Sequence, residues 1–318
     1  MNYSWVPLMG VFEDSQDGLI FKGREVDTPT KEPEPVKKTA LVGQALCDQK
    51  FAEGTISTEV TFADGNEFPS AELVLFYDPN TKAMITAGLG WTTVVGMFSL
   101  RQWNGKAWST IAEAGAIANL KNGRRYKVAA SLRGSFVTLT VDGVDVISAN
   151  IPVAMSESQV GVFCLGKADI VFHNFEIQRR QPKAFVVMQF TPPYDELYAD
   201  VIKPVCREMK LEPHRADETF SPGLIIADVI RQILESKLII AEITPANPNV
   251  YYEVGFAHAM NKPTILIADK GTKLPFDVSP FRTLFYENSI GGKKRIEDGL
   301  RSYLNTIISS KAVFSSNP

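Results

Sequence analysis

The chain has 318 residues, of which 45% are hydrophobic and 22% are charged. These proportions are those of a globular protein and exclude a fully disordered chain. At roughly 100–200 residues per domain, the length predicts two domains. The 33 basic and 36 acidic residues give a net charge of −3, which excludes a protein-wide basic surface for nucleic acid.

Targeting segments and metal ligands are not indicated. No apolar run approaches the roughly 18 residues of a membrane-spanning helix, and residues 1–10 lack the pattern of a signal peptide. The three cysteines and three histidines are widely spaced, so neither a disulfide framework nor a zinc site is predicted. We therefore expect a cytoplasmic protein with no membrane contact, no nucleic-acid partner and no metal.

Residues 1–181 are predicted to form short strands separated by turns, with no helix. The predicted strands are residues 54–62, 71–77, 126–132, 136–141, 160–164 and 170–177. Residues 133–135 and the Asp-Gly pair at 142–143 have the composition of hairpin turns. Strands at this spacing are typical of a β-sandwich.

Aromatic and acidic residues in this half allow two interpretations. Trp91, Trp103 and Trp108 could stack on a sugar or fill the core between the sheets, and we favour the core because aromatic side chains dominate such cores. A glycosidase needs two carboxylates about 5–10 Å apart across a cleft. Glu59 and Glu72 lie in predicted strands, where alternation favours solvent-facing positions, so they do not form a defensible pair.

The order of these strands resembles the concanavalin A-like jelly rolls of the laminin-G and glucanase type. The resemblance covers about residues 15–179 and is carried by segments 54–60, 73–78, 100–103, 123–128, 138–143, 159–163 and 172–177. It implies a sensor, binding or assembly module that holds a glycan or a protein partner.

From residue 182 to 318 the pattern changes to alternating strands and helices. The predicted strands are residues 184–188, 238–241 and 264–268, and the predicted helices are residues 194–209, 225–236, 250–260 and 296–308. Pro204 is expected to kink the first helix. This alternation predicts a second domain with a doubly wound parallel sheet. Its ligands should gather at the carboxyl ends of the strands.

Three polar clusters follow predicted strands: 188–190, 242–249 and 269–270. No glycine-rich phosphate loop accompanies them. Glu253 lies in the first turns of the helix after the second cluster, and Asn249 is a candidate N-cap. Glu253 could face a pocket beside this loop, or it could be a surface residue that compensates the helix dipole. From spacing alone both interpretations stay open.

The segment Asn-Pro-Asn-Val-Tyr-Tyr-Glu-Val-Gly at 247–255 is the most specific motif of the chain. Together with 185–190, 215–218, 239–258 and 263–267, it resembles the TIR-like and nucleoside 2-deoxyribosyltransferase-like domains of bacteria. The resemblance spans residues 183–309 and implies a flavodoxin-like parallel sheet. Many of these domains are effectors of defence against phage. The matching glutamate supports cleavage of an N-glycosidic bond, so the resemblance implies that Glu253 is the catalytic carboxylate.

Other positions follow the family less closely. Asp228 falls near the acid that the transferases direct at the base, and Glu242 stands where many relatives have aspartate. Asn247 replaces an acid six residues before the nucleophile, and an amide cannot exchange a proton with the leaving base. Nicotinamide is already cationic in NAD and leaves without protonation. The resemblance therefore favours hydrolysis of NAD(P) over exchange of purines or pyrimidines.

The remaining candidates have structural alternatives. Phe190 and Tyr252 could stack on a base or belong to the core. Arg215 and Asp217 could bind ribose or phosphate, or form an ion pair with each other. The full set of predicted substrate-binding residues is Met188, Gln189, Phe190, Arg215, Asp217, Asp228, Glu242, Asn247, Asn249 and Tyr252.

Three functions remain open at this point. The first is an N-glycosidase effector that hydrolyses NAD(P) or a related nucleotide and acts as a homo-oligomer or filament. The second is a receptor that binds a nucleotide signal without chemistry. The third is a glycan-binding protein acting through the sandwich. In the first two, the nucleotide is a substrate or a ligand and not a resident cofactor.

Overall fold

The computed structural model describes residues 3–16, 18–28, 37–92, 96–151, 155–218 and 225–309. All strands up to Arg179 pair antiparallel, and all strands from Lys183 onward pair parallel. This change coincides with the predicted domain boundary at Pro182, although the division into independent domains stays a prediction. None of the described helices combines the length and the hydrophobicity needed to span a bilayer.

The antiparallel part consists of fifteen strands. They are β1 (Trp5–Met9), β2 (Phe12–Ser15), β3 (Gly18–Phe21), β4 (Glu25–Thr28), β5 (Lys37–Phe51), β6 (Gly54–Phe62), β7 (Ser70–Tyr77), β8 (Met84–Gly90), β9 (Phe98–Trp103), β10 (Trp108–Ala114), β11 (Arg125–Arg133), β12 (Phe136–Val141), β13 (Val144–Asn150), β14 (Ser158–Gly166) and β15 (Ile170–Arg179). Among the described residues, the only helical turn in this part is Ile117–Asn119.

These strands form two sheets that share one core, so the predicted β-sandwich is confirmed. The first sheet has the order β1-β5-β14-β7-β8-β9-β10, with β4 paired to β5. The second has the order β13-β12-β11-β6-β15-β3-β2. Ile56, Val60 and Phe62 of β6 show how the core arises, because every second side chain of the strand is buried between the sheets.

The expected core position of the tryptophans is wrong for Trp103 and Trp108. Both pack on a small cluster that includes Met84 and Phe163. The neighbours of Phe163 along β14 belong to the main core, so alternation places this cluster on the outer face of the first sheet. Trp91 is 37% exposed and meets the ring of Phe68 edge-on at 4.4 Å.

Glu72 was expected to face solvent, but it is buried on that same outer face. Its carboxylate is bonded by the guanidinium of Arg101 through two nitrogens and accepts a hydrogen bond from Thr86. Arg101 in turn lies 4.1 Å above the ring of Trp108. The sequence pattern misses this pair because the partner that makes burial of a charge tolerable lies two strands away.

The parallel part has five strands in the order β17-β16-β18-β19-β20. They are β16 (Lys183–Val187), β17 (Glu212–Arg215), β18 (Leu238–Glu242), β19 (Thr264–Asp269) and β20 (Thr283–Tyr286). The helices are α1 (Tyr194–Leu197), α2 (Lys203–Glu208), α3 (Ile225–Glu235), α4 (Pro248–Ala259) and α5 (Ile290–Ser309). One hydrophobic cluster holds α2 and α5 on one face of the sheet, and another holds α3 and α4 on the opposite face.

Several predicted boundaries need correction. The short strands β17 and β20 were not predicted, because four residues carry too little periodicity to be recognised. The predicted helix 194–209 is divided by a π-helical segment, Tyr198–Ile202, in place of a simple kink. Pro204 follows this segment and lacks the N–H that a regular α-helix would use there. α5 begins six residues earlier than predicted, at Ile290.

The hairpin between β11 and β12 joins the sandwich to the parallel sheet. The backbone N–H of Ser135 donates to the carbonyl oxygen of Leu234 at the end of α3, at 3.2 Å. Gly134 makes this contact possible, because a Cβ built on it would lie 2.3 Å from the carbonyl oxygen of Ser236. Its φ of +58° also lies in the region that favours glycine.

We expect Gly134→Ala to separate the unfolding of the two parts of the chain. All four tryptophans lie in the sandwich, so tryptophan fluorescence follows the sandwich while helical circular dichroism follows the parallel part. The two transitions should coincide in the wild type and divide in the variant, because the added methyl group cannot fit against Ser236.

Gly143→Ala is the matched control. Gly143 lies in the next hairpin at a φ of +82° and has no atom within 4 Å of its built Cβ. The substitution should lower the stability only by the backbone strain of about 1–2 kcal/mol. The fluorescence and circular dichroism transitions should still coincide. Equal behaviour of the two variants would contradict a role of Gly134 in the contact.

Candidate functional site

The strand order indicates which edge of the parallel sheet is suited to bind a ligand. The chain crosses from β17 past β16 to β18, so the loops after β16 and β18 leave toward opposite faces of the sheet. Ligands of open parallel sheets bind in the crevice formed where loops diverge in this way. The loops concerned are 188–193 and 243–247.

Glu253 lies in the second turn of α4, the helix that follows β18. Its side chain is partly buried, and burial raises its pKa to about 7. Within the described part of the chain no hydrogen bond or ion pair involves its carboxylate. His258 stacks on Phe281 with ring centroids 4.3 Å apart, on a flank about 140° around the helix from Glu253. Glu253 therefore lies on the flank of α4 away from Phe281, and α3 is the helix that packs against α4.

The start of α4 differs from the sequence prediction. The helix begins at Pro248, and its N-cap is Asn247, whose side-chain oxygen accepts a hydrogen bond from the N–H of Asn249 at 3.0 Å. The prediction that Asn249 is the cap was therefore wrong by two residues. Pro248 explains the shift, because proline is favoured at the first helical position and needs no N–H partner there. The side chain of Asn249 is exposed.

Glu242, at the end of β18, is buried and bonded within the protein. Its Oε1 accepts hydrogen bonds from the N–H and the hydroxyl of Thr244, and from the hydroxyl of Tyr286 at 3.2 Å. Burial raises the pKa of its carboxyl group. Its Oε2 has no hydrogen-bond partner among the described residues. Along β18, Ile239 and Ala241 face α4, so alternation directs Glu242 to the opposite face of the sheet.

Arg215 and Asp217 form the ion pair that was one of the two predicted alternatives. The guanidinium of Arg215 donates two hydrogen bonds to Asp217, at 2.7 and 2.6 Å, and one to Asp195 at 2.7 Å. It also lies 5.1 Å from the ring centre of Phe190 and 4.7 Å from that of Tyr198. These partners occupy the side chain that was expected to bind ribose or phosphate.

The other predicted residues occupy varied positions. Met188 is buried in the core on the α5 side, and Gln189 donates a hydrogen bond to the hydroxyl of Thr191 at 2.8 Å. Tyr252 is 54% exposed on α4. Asp228 is partly buried in the first turn of α3, the helix that packs against α4.

The sheet thus divides the predicted residues into two groups. Glu253 and Asp228 lie on the α3–α4 face. Met188 and Glu242 point to the α5 face, where a cleft of about 470 Å³ opens. Thr244 and Asp269 of the predicted clusters 242–249 and 269–270 line this cleft. Sequence reasoning missed Tyr194 and Tyr286, which also line it, because no motif marks them. Across the described ranges, no group of three or more His, Cys, Asp or Glu could hold a metal ion.

Comparison with known proteins yields likenesses to solved structures only. No family model and no curated protein sequence matches the chain. A carbohydrate-binding module, CBM66, from Bacillus subtilis is 19% identical, with 54% of this chain and 92% of that chain covered and a TM-score of 0.43. The β-glucanase of Bacillus licheniformis is 12% identical, with 56% and 95% covered and a TM-score of 0.35.

A structure of a CMP N-glycosidase from Clostridium botulinum is 20% identical, with 38% of this chain and 98% of that chain covered and a TM-score of 0.31. All three TM-scores are below 0.5, which is too low for any of these structures to establish a fold or a function for this chain.

Proposed function

We propose that the α/β part of the chain is a TIR-like N-glycosidase, with Glu253 as its catalytic carboxylate and NAD(P) or a related nucleotide as its substrate. The observation that carries this proposal is the state of Glu253, a partly buried carboxylate with a pKa of about 7 and no cationic partner among the described residues. A pKa near the working pH is typical of groups that take part in chemistry. The resemblance of segment 247–255 to the glycosidase families supports the same residue.

In the proposed reaction Glu253 acts on the sugar and not on the base. The bond between the ribose carbon and the base nitrogen breaks, and its electron pair leaves with the base as neutral nicotinamide. The ionised Glu253 stabilises the positive charge that develops on the sugar. Water then bonds to the same carbon and releases a proton. The products are nicotinamide, ADP-ribose and one proton, which balances NAD and water.

The pH dependence distinguishes this role from that of a general acid. A stabilising carboxylate must be ionised, so the rate should rise tenfold per pH unit below about 7 and level off above it. A rate that fell as pH rose through the same range would show that the protonated form acts. The measurement is kcat/KM between pH 5 and 9.

The test is release of free base from NAD, NADP and CMP by the full chain, followed by chromatography over a range of protein concentrations. We expect nicotinamide from NAD or NADP. Glu253→Gln should lower the rate at least 100-fold, because the amide keeps the shape and loses the charge. Glu297→Gln is the control, since Glu297 lies on α5 across the sheet and should leave the rate unchanged.

Two outcomes would contradict the proposal. The first is that no base is released at any protein concentration by a chain with intact helical circular dichroism. The second is equal activity of wild type and Glu253→Gln. Release from CMP alone would keep Glu253 as the catalytic residue and replace the substrate.

A second candidate is a receptor that binds the nucleotide without cleaving it. Two observations favour it: Glu242 is bonded to Thr244 and Tyr286, and Asn247 caps α4. Neither side chain is then available to assist departure of a base. Calorimetric binding of NAD without release of nicotinamide would support this function in place of catalysis.

The remaining expectations are proposals of the same kind. We propose that the chain acts as a homo-oligomer or filament in the cytoplasm, and that it serves in defence against phage. In this proposal the sandwich is the sensor or assembly module and binds a protein or glycan. Exposed Phe68 and Trp91 are its most apparent aromatic contact surface. A glycan array without signals would contradict the glycan-binding alternative.

A further inference from the structure

The cleft on the α5 face is a built cavity that the proposed chemistry does not use. Its volume of about 470 Å³ is that of a small-molecule site. Residues at or just beyond the carboxyl ends of β18, β19 and β20 form its wall, together with the first turns of α1 and α5. The cleft therefore lies at the edge where parallel sheets bind ligands, on the face of the sheet away from Glu253.

The polar side chains of Tyr194, Thr244, Asp269 and Tyr286 line the cleft, and two of them are bonded to a buried carboxylate that does not itself line it. Tyr286 and Thr244 donate to the buried Glu242, and the Oγ1 of Thr244 also accepts from the N–H of Asp269 at 2.8 Å. The Oε2 of Glu242 has no partner within the described ranges. Burial raises the pKa of the Tyr194 phenol, and the charges of Glu242 and Asp269 raise it further.

The charge of the rim selects among ligands. Glu196 and Asp200 line the cleft and make no ion pair in the described part of the chain. The third rim carboxylate, Glu287, is held in two ion pairs. Lys293 is the one lysine or arginine among the lining residues that the structure describes. Carboxylates thus outnumber cations in the lining, which counteracts the attraction of the α5 N-terminus for a phosphate and favours groups that donate hydrogen bonds.

We infer that this cleft binds a phosphate-free ligand carrying a vicinal diol, either a ribonucleoside or a free pentose. The diol donates to the carboxylate of Asp269, as ribose hydroxyls do to the acidic residue of dinucleotide-binding sheets. Tyr194 and Tyr286 also line the cavity and supply hydroxyl groups as further partners of the ligand. This site is separate from Glu253 and does not depend on the proposed hydrolysis.

Titration calorimetry of the full chain tests the inference with adenosine, ribose, 2′-deoxyadenosine and AMP. Adenosine or ribose should bind, and comparing the two identifies a nucleoside or a free sugar as the ligand. Removing one hydroxyl or adding a phosphate to adenosine should weaken binding at least tenfold. Asp269→Asn should also weaken binding at least tenfold, whereas Asp277→Asn, an exposed carboxylate outside the cleft, should not.

The same titrations in Glu253→Gln separate this site from the proposed catalytic one, because the variant should bind with unchanged affinity. The inference is overturned if neither adenosine nor ribose binds, or if 2′-deoxyadenosine binds as well as adenosine. It is also overturned if affinity is lost in Glu253→Gln and kept in Asp269→Asn. None of these results would affect the test of base release, which measures a different residue.

Discussion

Arg101→Met is expected to destabilise the sandwich by about 3–5 kcal/mol, the usual effect of removing one partner of a buried ion pair. Glu72 and Arg101 are both buried, and the variant leaves the carboxylate of Glu72 without its cation. Methionine keeps most of the packing on Trp108, so the loss of stability measures the effect of removing the positive charge. Denaturant unfolding followed by tryptophan fluorescence measures it, because the tryptophans all lie in the sandwich.

Two further variants isolate the cause. The double variant Glu72→Leu/Arg101→Met removes both charges and should recover stability to within about 1 kcal/mol of the wild type or better. Arg124→Met is the matched control, since Arg124 also lies over a ring, that of Tyr126, and pairs with Asp142 at 2.6 Å. That pair is exposed and should be worth less than about 1 kcal/mol. Equal losses in Arg101→Met and Arg124→Met would contradict the account.

The contact between the sandwich and the parallel part is expected to have minimal stability near neutral pH. Glu53 is buried there with its Oε1 unpartnered among the described residues, and burial raises its pKa to about 7. Lys262 is also buried, and burial lowers its pKa to about 7. Glu53 and Lys262 attract each other, which opposes the effect of burial on both pKa values. Lys237 acts on both groups, Arg180 acts on Glu53, and Glu157 acts on Lys237.

The titrations of Glu53 and Lys262 should change the free energy of unfolding in opposite directions as pH rises. Between pH 4.5 and 7 the unfolded chain has lost the proton that folded Glu53 retains, so stability falls with rising pH, by about 3 kcal/mol. Above pH 7 the unfolded chain keeps the proton that folded Lys262 has lost, so stability rises with pH.

Measuring the free energy of unfolding against pH in the wild type and in two variants checks both changes. Glu53→Gln should abolish the fall between pH 4.5 and 7 and keep the rise, which should begin at a lower pH because Lys262 loses a carboxylate that raises its pKa. Lys262→Met should abolish the rise, and it should lower stability overall because the ammonium donates to the carbonyl oxygens of Leu234 and Ser236. A wild-type curve parallel to that of Glu53→Gln across the whole range would show that Glu53 does not titrate between the two states.

The sequence determined the local elements and the motif on which the proposed function rests. Alternation in β6 predicted a sandwich strand, because a strand buried on one face has an apolar side chain at every second position. The continuous apolar run of β18 predicted a parallel strand, because such a strand is buried on both faces. Segment 247–255 identified Glu253 as the candidate carboxylate. The short strands β17 and β20 were not predicted, because pairing with neighbouring strands forms them and their own sequences carry no recognisable pattern.

Only the tertiary structure decided which side chains meet. Glu242 and Glu253 are eleven residues apart in the sequence, yet the sheet separates them. Glu242 ends β18 and points to the α5 face, whereas Glu253 lies on α4, which packs on the opposite face. The sequence pattern predicted a surface position for Glu72, but the structure shows it buried and bonded to Arg101, which lies two strands away. Periodicity is a local property, whereas the partner that neutralises a buried charge or closes a cleft comes from a distant part of the chain.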